Sequence, residues 1–325
     1  MSTRIPLVFG AAVFGEPNTN TTRIHSLSEA QDVVDVVVSH GHKAFDTSRF
    51  YGYGSSEEFL GKLDLKGSVV DTKVYPGEPG SFGPEQLRAV FHQSLRALDP
   101  HKIRTFYLHF PDRHENPVSF EDTLREINEF HKAGHIQQFG LCNFFSWEVS
   151  EFVAIAKANG WIQPTVYQGL YNVVERSVEA ELIPCLRKYG IKFYAYNPLA
   201  GGLLVAKRHT GTSLNYAPGS RWDPKASSLA PWLHQRYQPV LPLLRDLKLI
   251  LEKYNIDMSE AAHRWLQHHS ALEPEDAVLL GASNVTQVEW NLKSCERGPL
   301  PGDIVKLLDE AWINTKAQMP YYASM

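Results

Sequence analysis

Apolar residues recur along this chain in two alternating rhythms. Ser28 to His40 carries Val33, Val34, Val37 and Val38 on one helical stripe, and Gly41 follows as a stop. A short β-rich run, Lys43 to Thr47, comes next, and then a helix from Ser55 to Leu63. The alternation continues with a strand over Ser68–Val74, a helix over Pro84–Leu98 opened by its proline, and a strand over Ile103–Phe110. A helix over Ser119–Lys132 begins with Ser119-x-x-Asp122, a capping-box pattern with Asp in place of Glu. Strands over Gln137–Cys142, Thr165–Gly169, Lys192–Tyr196 and Ala277–Gly281 interleave with helices over Ser146–Asn159, Val178–Tyr189, Ser259–His269 and Val285–Lys293. A last helix runs from Asp303 to Lys316.

With Leu7–Ala11 counted first, eight strand-then-helix units follow one another without a linker or a composition break. That pattern predicts a single-domain (β/α)8 TIM barrel over residues 1–325, not a doubly wound sheet. The apolar start, Leu7 to Phe14, reads as an N-terminal hairpin. It is cut by Gly10, too short to span a bilayer, and preceded only by Arg4, a poor signal-peptide flank. Gly52-Tyr53-Gly54 lacks the third glycine of a Rossmann fingerprint. The segment 200–238 interrupts the alternation, and its Pro-rich part (217–242) shows no clean periodicity; it is expected to form a long loop at the catalytic face. Residues 301–325 supply the extra helix and a tail.

Composition narrows the picture further. The chain has 325 residues, 43% hydrophobic and 21% charged, which suits a globular protein with a large core. Its 32 Lys and Arg against 36 Asp and Glu give a net charge of −4, no excess with which to neutralise a nucleic-acid backbone. Cys142, Cys185 and Cys295 are too scattered for a disulfide framework or a zinc site, so no metal is expected. The chain reads as cytoplasmic, with neither membrane nor nucleic acid as a partner.

In a barrel of this type, residues just past each strand converge on one mouth. Those positions hold Asp46, Lys73, His109, Asn143, Gln168, Tyr196 and Ser283, with Tyr51 in the loop after the second strand. An acid, an amine, a phenol and an imidazole together make a specific tool. An ammonium stabilises a phenolate, a carboxylate holds the ammonium charged, and an imidazole can donate to a carbonyl oxygen. Such a site polarises and protonates a C=O while a hydride arrives at carbon. No pair of carboxylates at comparable spacing suggests glycoside hydrolysis.

Phe45-Asp46-Thr47-Ser48-Arg49-Phe50-Tyr51-Gly52, Thr72-Lys73 and Tyr107-Leu108-His109 resemble the tetrad motifs of the aldo-keto reductases. Gly140-Leu141-Cys142-Asn143-Phe144 is similar to their Gly-x-Ser-Asn motif. The runs 164–172 and 193–204, with Arg264-Trp265 and His268-His269-Ser270, resemble the aflatoxin-aldehyde reductase branch, so the likeness spans essentially the whole chain.

The resemblance implies that Tyr51 is the general acid of carbonyl reduction, with Lys73 and Asp46 lowering its pKa and His109 orienting the carbonyl. It implies that Asn143 and Gln168 hold the nicotinamide carboxamide and that Tyr196 stacks on the ring. Asn197, Leu199, Gly201 and Lys207 are expected along the pyrophosphate, and Ser283, Gln287 and Asn291 at the adenosine end. Arg221 is expected to meet a cofactor phosphate or a substrate carboxylate. Two departures stand out. Cys142 replaces the usual serine, and the segment from Gly281 to Gln287 carries no Lys or Arg for a 2′-phosphate. By analogy with that branch, NADPH is expected ahead of NADH, and a homodimer is an expectation by analogy alone. The loop aromatics Phe14, Tyr53, Trp147, Trp222, Trp232, Tyr321 and Tyr322 suggest a small-molecule carbonyl substrate that is aromatic or polycyclic. A competing reading is a cofactor-binding regulatory subunit with little turnover.

Overall fold

The computed structural model describes residues 3–19, 21–205, 209–210, 213–214, 216 and 219–323. Eight parallel strands close into a barrel: β1 (Leu7–Gly10), β2 (Ala44–Asp46), β3 (Val69–Val74), β4 (Ile103–Leu108), β5 (Gln138–Cys142), β6 (Pro164–Leu170), β7 (Lys192–Tyr196) and β8 (Ala277–Leu280). They pair in chain order, and β1 closes the ring against β8 through Leu7↔Val278 and Val8↔Leu279. The expected (β/α)8 barrel is therefore present.

Alternation along each strand sorts the side chains into two cores. Phe9, Phe45, Val70, Phe106, Phe139, Tyr167 and Phe193 belong to the large core beneath the helices. Val8, Ala44, Tyr107, Val166, Tyr194, Ala277 and Leu279 form a separate cluster within the barrel. The buried pair Asp46 and Lys73 lies among them, and buried Asp71 is paired with half-buried Arg104.

The surrounding helices are α1 (Leu27–Ser39), α2 (Ser55–Lys62), α3 (Pro84–Leu98), α4 (Phe120–Lys132), α5 (Ser146–Asn159), α6 (Leu182–Tyr189), α7 (Ala230–Tyr237), α8 (Leu241–Lys253), α9 (Met258–His268), α10 (Val285–Cys295) and α11 (Gly302–Thr315). Ser119 does cap α4: its Oγ accepts from the Asp122 amide at 3.0 Å and donates to Asp122 Oδ2 at 2.7 Å. Among the described residues no helix is long and apolar enough to cross a membrane.

Two expectations need correction. The N-terminal hairpin does not form among the described residues, because both edges of β1 are taken by parallel neighbours, β8 on one side and β2 on the other. The segment 200–238 is not all loop either. It ends in α7, and α8 follows at once, a helix that the sequence reading missed. Pro231 and Pro242 sit in the first turns of these helices, where a missing N–H costs nothing. Proline there opens a helix, as Pro84 does in α3. The extra C-terminal helix is present as α11.

Candidate active site

The loop after β2 is held by the backbone of β3. Thr47 N donates to Asp71 O at 2.9 Å and Arg49 N to Lys73 O at 3.0 Å, so residues 47–49 run on beside the strand that carries Lys73. Arg49 then turns onto buried Glu57 of α2 at 2.9 Å, which also accepts from Thr72 Oγ1 at 2.6 Å. Gly52 and Gly54 have φ of 57° and 100°, and a side chain at Gly54 would overlap the Arg49 guanidinium. These constraints set Tyr51 in one place at the barrel mouth.

Four side chains converge there. Lys73 Nζ is ion-paired to Asp46 Oδ1 and donates to Thr47 O at 2.8 Å. The same ammonium lies 5.1 Å from the centre of the Tyr51 ring. Tyr51 Oη is 3.5 Å from His109 Nε2. Gln168 Nε2 donates to Asp46 Oδ2 at 2.9 Å, so both carboxylate oxygens are engaged.

Electrostatics at Tyr51 differ from the sequence expectation. Burial is the largest influence and pushes the phenol up to about 12; Lys73 pulls it down, whereas the Asp46 carboxylate pushes it up. Asp46 therefore acts on Lys73 and not as a direct aid to Tyr51 ionisation. Burial also opposes the charge on Lys73, but Asp46 and Tyr51 more than offset it, and the ammonium is held above its ordinary range. Burial, reinforced by Lys73, drives His109 well below the usual imidazole range, so its ring is neutral at pH 7. Arg221 adds a weaker downward pull on Tyr51, which brings this residue of the 200–238 segment within electrostatic reach of the mouth.

The remaining candidates fall into two groups. Beside the tetrad, Tyr196 Oη donates to Asn143 Oδ1 at 2.7 Å, and Asn143 Nδ2 donates to His109 O and to Cys142 Sγ, both at 3.1 Å. Asn143 takes φ of 63°, Asn197 56° and Gly201 65°. Left-handed backbone thus follows both β5 and β7, the kind of strain that gathers at functional sites. Asn197 O accepts from Asn172 Nδ2 at 3.1 Å, and Leu199 packs partly buried on the core. Gly201 O accepts from the Trp222 indole at 2.9 Å, and a Cβ at Gly201 would sit 2.8 Å from Leu233. Lys207 lies outside the described residues. At the start of α10, Ser283 and Gln287 are exposed, and Gln287 Oε1 accepts from Ser283 N at 2.9 Å. Asn291 is buried and donates to Gly281 O at 3.2 Å, supporting the loop from beneath.

The aromatic residues are redistributed. Phe14 and Trp222 are buried, Trp147 is exposed, and Trp232 lies 5.0 Å beneath Arg236. Tyr321 and Tyr322 pack on Phe145. Around His109 stand residues that sequence reasoning passed over. Tyr75 lies 4.9 Å from Phe50 and 5.8 Å from His109, and 6.3 Å from Phe110. Phe50 and Tyr75 are exposed and Phe110 is half-buried. The signal was positional: Phe50 precedes Tyr51, Tyr75 stands two after Lys73, and Phe110 follows His109.

The family model of the aldo/keto reductases matches residues 6–313. An aldo-keto reductase of Pseudocercospora fijiensis is 40% identical over 302 residues, covering 90% of this chain and all of that protein. Aflatoxin B1 aldehyde reductase member 2 of Mus musculus is 39% identical, covering 89% of this chain and 81% of the relative. The crystal structure of a thermostable aldo-keto reductase bound to the inhibitor epalrestat is similar at a TM-score of 0.67 and 21% identity, covering 94% of each chain.

Proposed function

This chain belongs to the aldo/keto reductase family of NAD(P)H-dependent oxidoreductases, and on that premise we propose that it reduces an aldehyde or ketone to the alcohol with NADPH, Tyr51 giving the proton. The observation that carries this reading is the convergence of Tyr51, His109 and Lys73 on one point, with Asp46 behind the lysine. A phenol pushed up to about 12 holds its proton at neutral pH. Lys73, a fixed charge beside the ring, favours the phenolate that remains after the proton has left.

The residues fit a nicotinamide dinucleotide. Tyr196, tied through its hydroxyl to Asn143, offers a ring held in one orientation, and Gln168 is oriented by its bond to Asp46. Gly201, whose φ of 65° a glycine adopts readily and whose missing side chain makes room for Leu233, stands with Asn197 and Leu199 in the turn expected along the pyrophosphate. Ser283 and Gln287 present uncharged polar groups at the start of α10, where an anion is favoured by the helix terminus. Arg221, within electrostatic reach of Tyr51, adds a cation for a cofactor phosphate or a substrate carboxylate. When bound, the dinucleotide supplies the hydride.

Phe50, Tyr75 and Phe110 form an aromatic wall beside His109, and that wall favours a flat aromatic or polycyclic carbonyl. The mouse relative is an aflatoxin B1 aldehyde reductase, which agrees with an aldehyde as substrate. The test is oxidation of NADPH and of NADH, followed by loss of reduced-nicotinamide absorbance, with aromatic diones, aromatic aldehydes and succinic semialdehyde. The expected result is turnover with NADPH above that with NADH and the highest kcat/KM for the aromatic compounds. No oxidation of either nucleotide with any carbonyl contradicts the reading.

A further inference from the structure

The turn after β7 takes an uncommon backbone shape. Asn197, Ala200, Gly201 and Gly202 have φ of 56°, 50°, 65° and 94°, so most of the stretch 197–202 is left-handed, at two positions with a side chain. Such a run costs free energy and persists only where its surroundings impose it. Its inner carbonyls are satisfied locally: Leu199 O accepts from Gly202 N at 2.9 Å and from Leu204 N at 3.2 Å, and Ala200 O from Leu203 N at 3.1 Å. Its outer carbonyls are reached from other parts of the chain. Asn197 O accepts from Ala200 N at 2.9 Å and also from Asn172 Nδ2 at 3.1 Å, and Gly201 O accepts from Trp222 Nε1 at 2.9 Å. Both outside donors belong to buried side chains.

Asn172 follows β6, and its amide fits in one orientation only. Val174 N can only donate and lies 3.0 Å from Oδ1, so the oxygen faces Val174 and Nδ2 faces Asn197 O, which can only accept. The second Nδ2 proton points to Tyr237 Oη at 3.4 Å, and that phenol donates in turn to buried Glu175, the ion-pair partner of Arg236. The strut behind the turn is thus footed on α7. We propose that Asn172 and Trp222 are positioning residues that hold the 197–202 turn in the shape that receives the cofactor pyrophosphate. A phosphate is repelled by bare carbonyl oxygens and favoured where their dipoles point elsewhere. Donors from behind keep the negative ends of Asn197 and Gly201 off the anion. The proposal rests on the reading that a nicotinamide dinucleotide binds along this turn.

The test is calorimetric titration of the full chain with NADPH, beside steady-state kinetics. Asn172→Leu keeps the size of the side chain and removes its donor, and Trp222→Phe keeps a ring and removes the indole N–H. Each is expected to raise the Kd about tenfold, the loss of one hydrogen bond to a buried carbonyl. Because the tetrad stands on other elements, kcat at saturating NADPH is expected to be no lower than in wild type, and KM for the carbonyl unchanged. A wild-type Kd in either variant that folds overturns the proposal. So does a fall in kcat at saturation, which marks a general loss of structure in place of a weakened cofactor turn. Wild type that binds neither NADPH nor NADH refutes the underlying reading and this proposal with it. Wild type that binds NADPH beside variants that bind it equally well refutes this proposal alone.

Discussion

His263 shows how much a single buried ring weighs on this protein. It lies on α9 with no exposed surface, and burial pulls its pKa down to about 4, with Asn291 drawing it slightly back. An imidazole in the unfolded chain titrates near 6.5. Between those two values the unfolded state binds a proton that the folded state refuses, so stability falls as the solution is acidified below about pH 6.5. From pH 6.5 to pH 5 the loss from this residue comes to about 2 kcal/mol, at about 1.4 kcal/mol per pH unit. Denaturant unfolding of wild type and His263→Gln at pH 7, 6 and 5 checks it. The variant's stability is expected to change less over that range, and parallel curves refute the assignment. His263 is not at the mouth; its neighbour Asn291 supports the Gly281 carbonyl behind it.

At the scale of elements, Gly140 gives a reason for one motif that resemblance only matched. It sits on β5 directly across from Tyr107 of β4, and a Cβ there would overlap the Tyr107 ring. That ring fills the barrel interior 5.9 Å from Lys73. Gly140→Ala therefore forces Tyr107 or the strand to shift, at a cost of about 2 kcal/mol. A drop in denaturant midpoint at unchanged m-value is the expected result, and a wild-type midpoint sinks the packing argument. Strands and most helices were legible in the sequence because their apolar periods are strong: Pro84–Leu98, Ser146–Asn159 and Lys192–Tyr196 agree to the residue. The misses share a physical cause. The prolines of 217–242, Pro231 and Pro242 among them, left that stretch without a clean period, so α7 and α8 were not read there, and β1 was given a hairpin although its strand partners lie far along the chain, Phe9 beside Phe45 and Leu7 beside Val278. The tetrad was legible because polar residues at apolar strand ends are conspicuous. Phe50, Tyr75 and Phe110 were not, since their meaning lies in what they touch across the mouth.

On the scale of the whole molecule, one turn of the barrel anchors two of the elements that lie beyond it. Glu175 and Arg176, consecutive in the loop after β6, face opposite ways. Glu175 is buried against Arg236 of α7, whose Nε lies 2.9 and 3.0 Å from its two oxygens. Arg176 donates to Asp309 of α11 at 2.6 Å and stacks 4.2 Å over Trp265 of α9. One turn thus fastens both the 200–238 segment and the C-terminal helix to the barrel. Trp222, buried in that segment, reaches Gly201 O and stacks on His234, joining the insertion to the wall proposed for phosphate. The architecture gathers the tetrad at one mouth, with the rings of Phe50, Tyr75 and Phe110 beside His109. The most direct test is the turnover of Tyr51→Phe beside its affinity for NADPH, with fluorescence titration giving the Kd. If Tyr51 supplies the proton, kcat for carbonyl reduction falls by about 10²–10⁴-fold while the Kd stays at the wild-type value. A variant that reduces the same carbonyl at the wild-type rate contradicts the account.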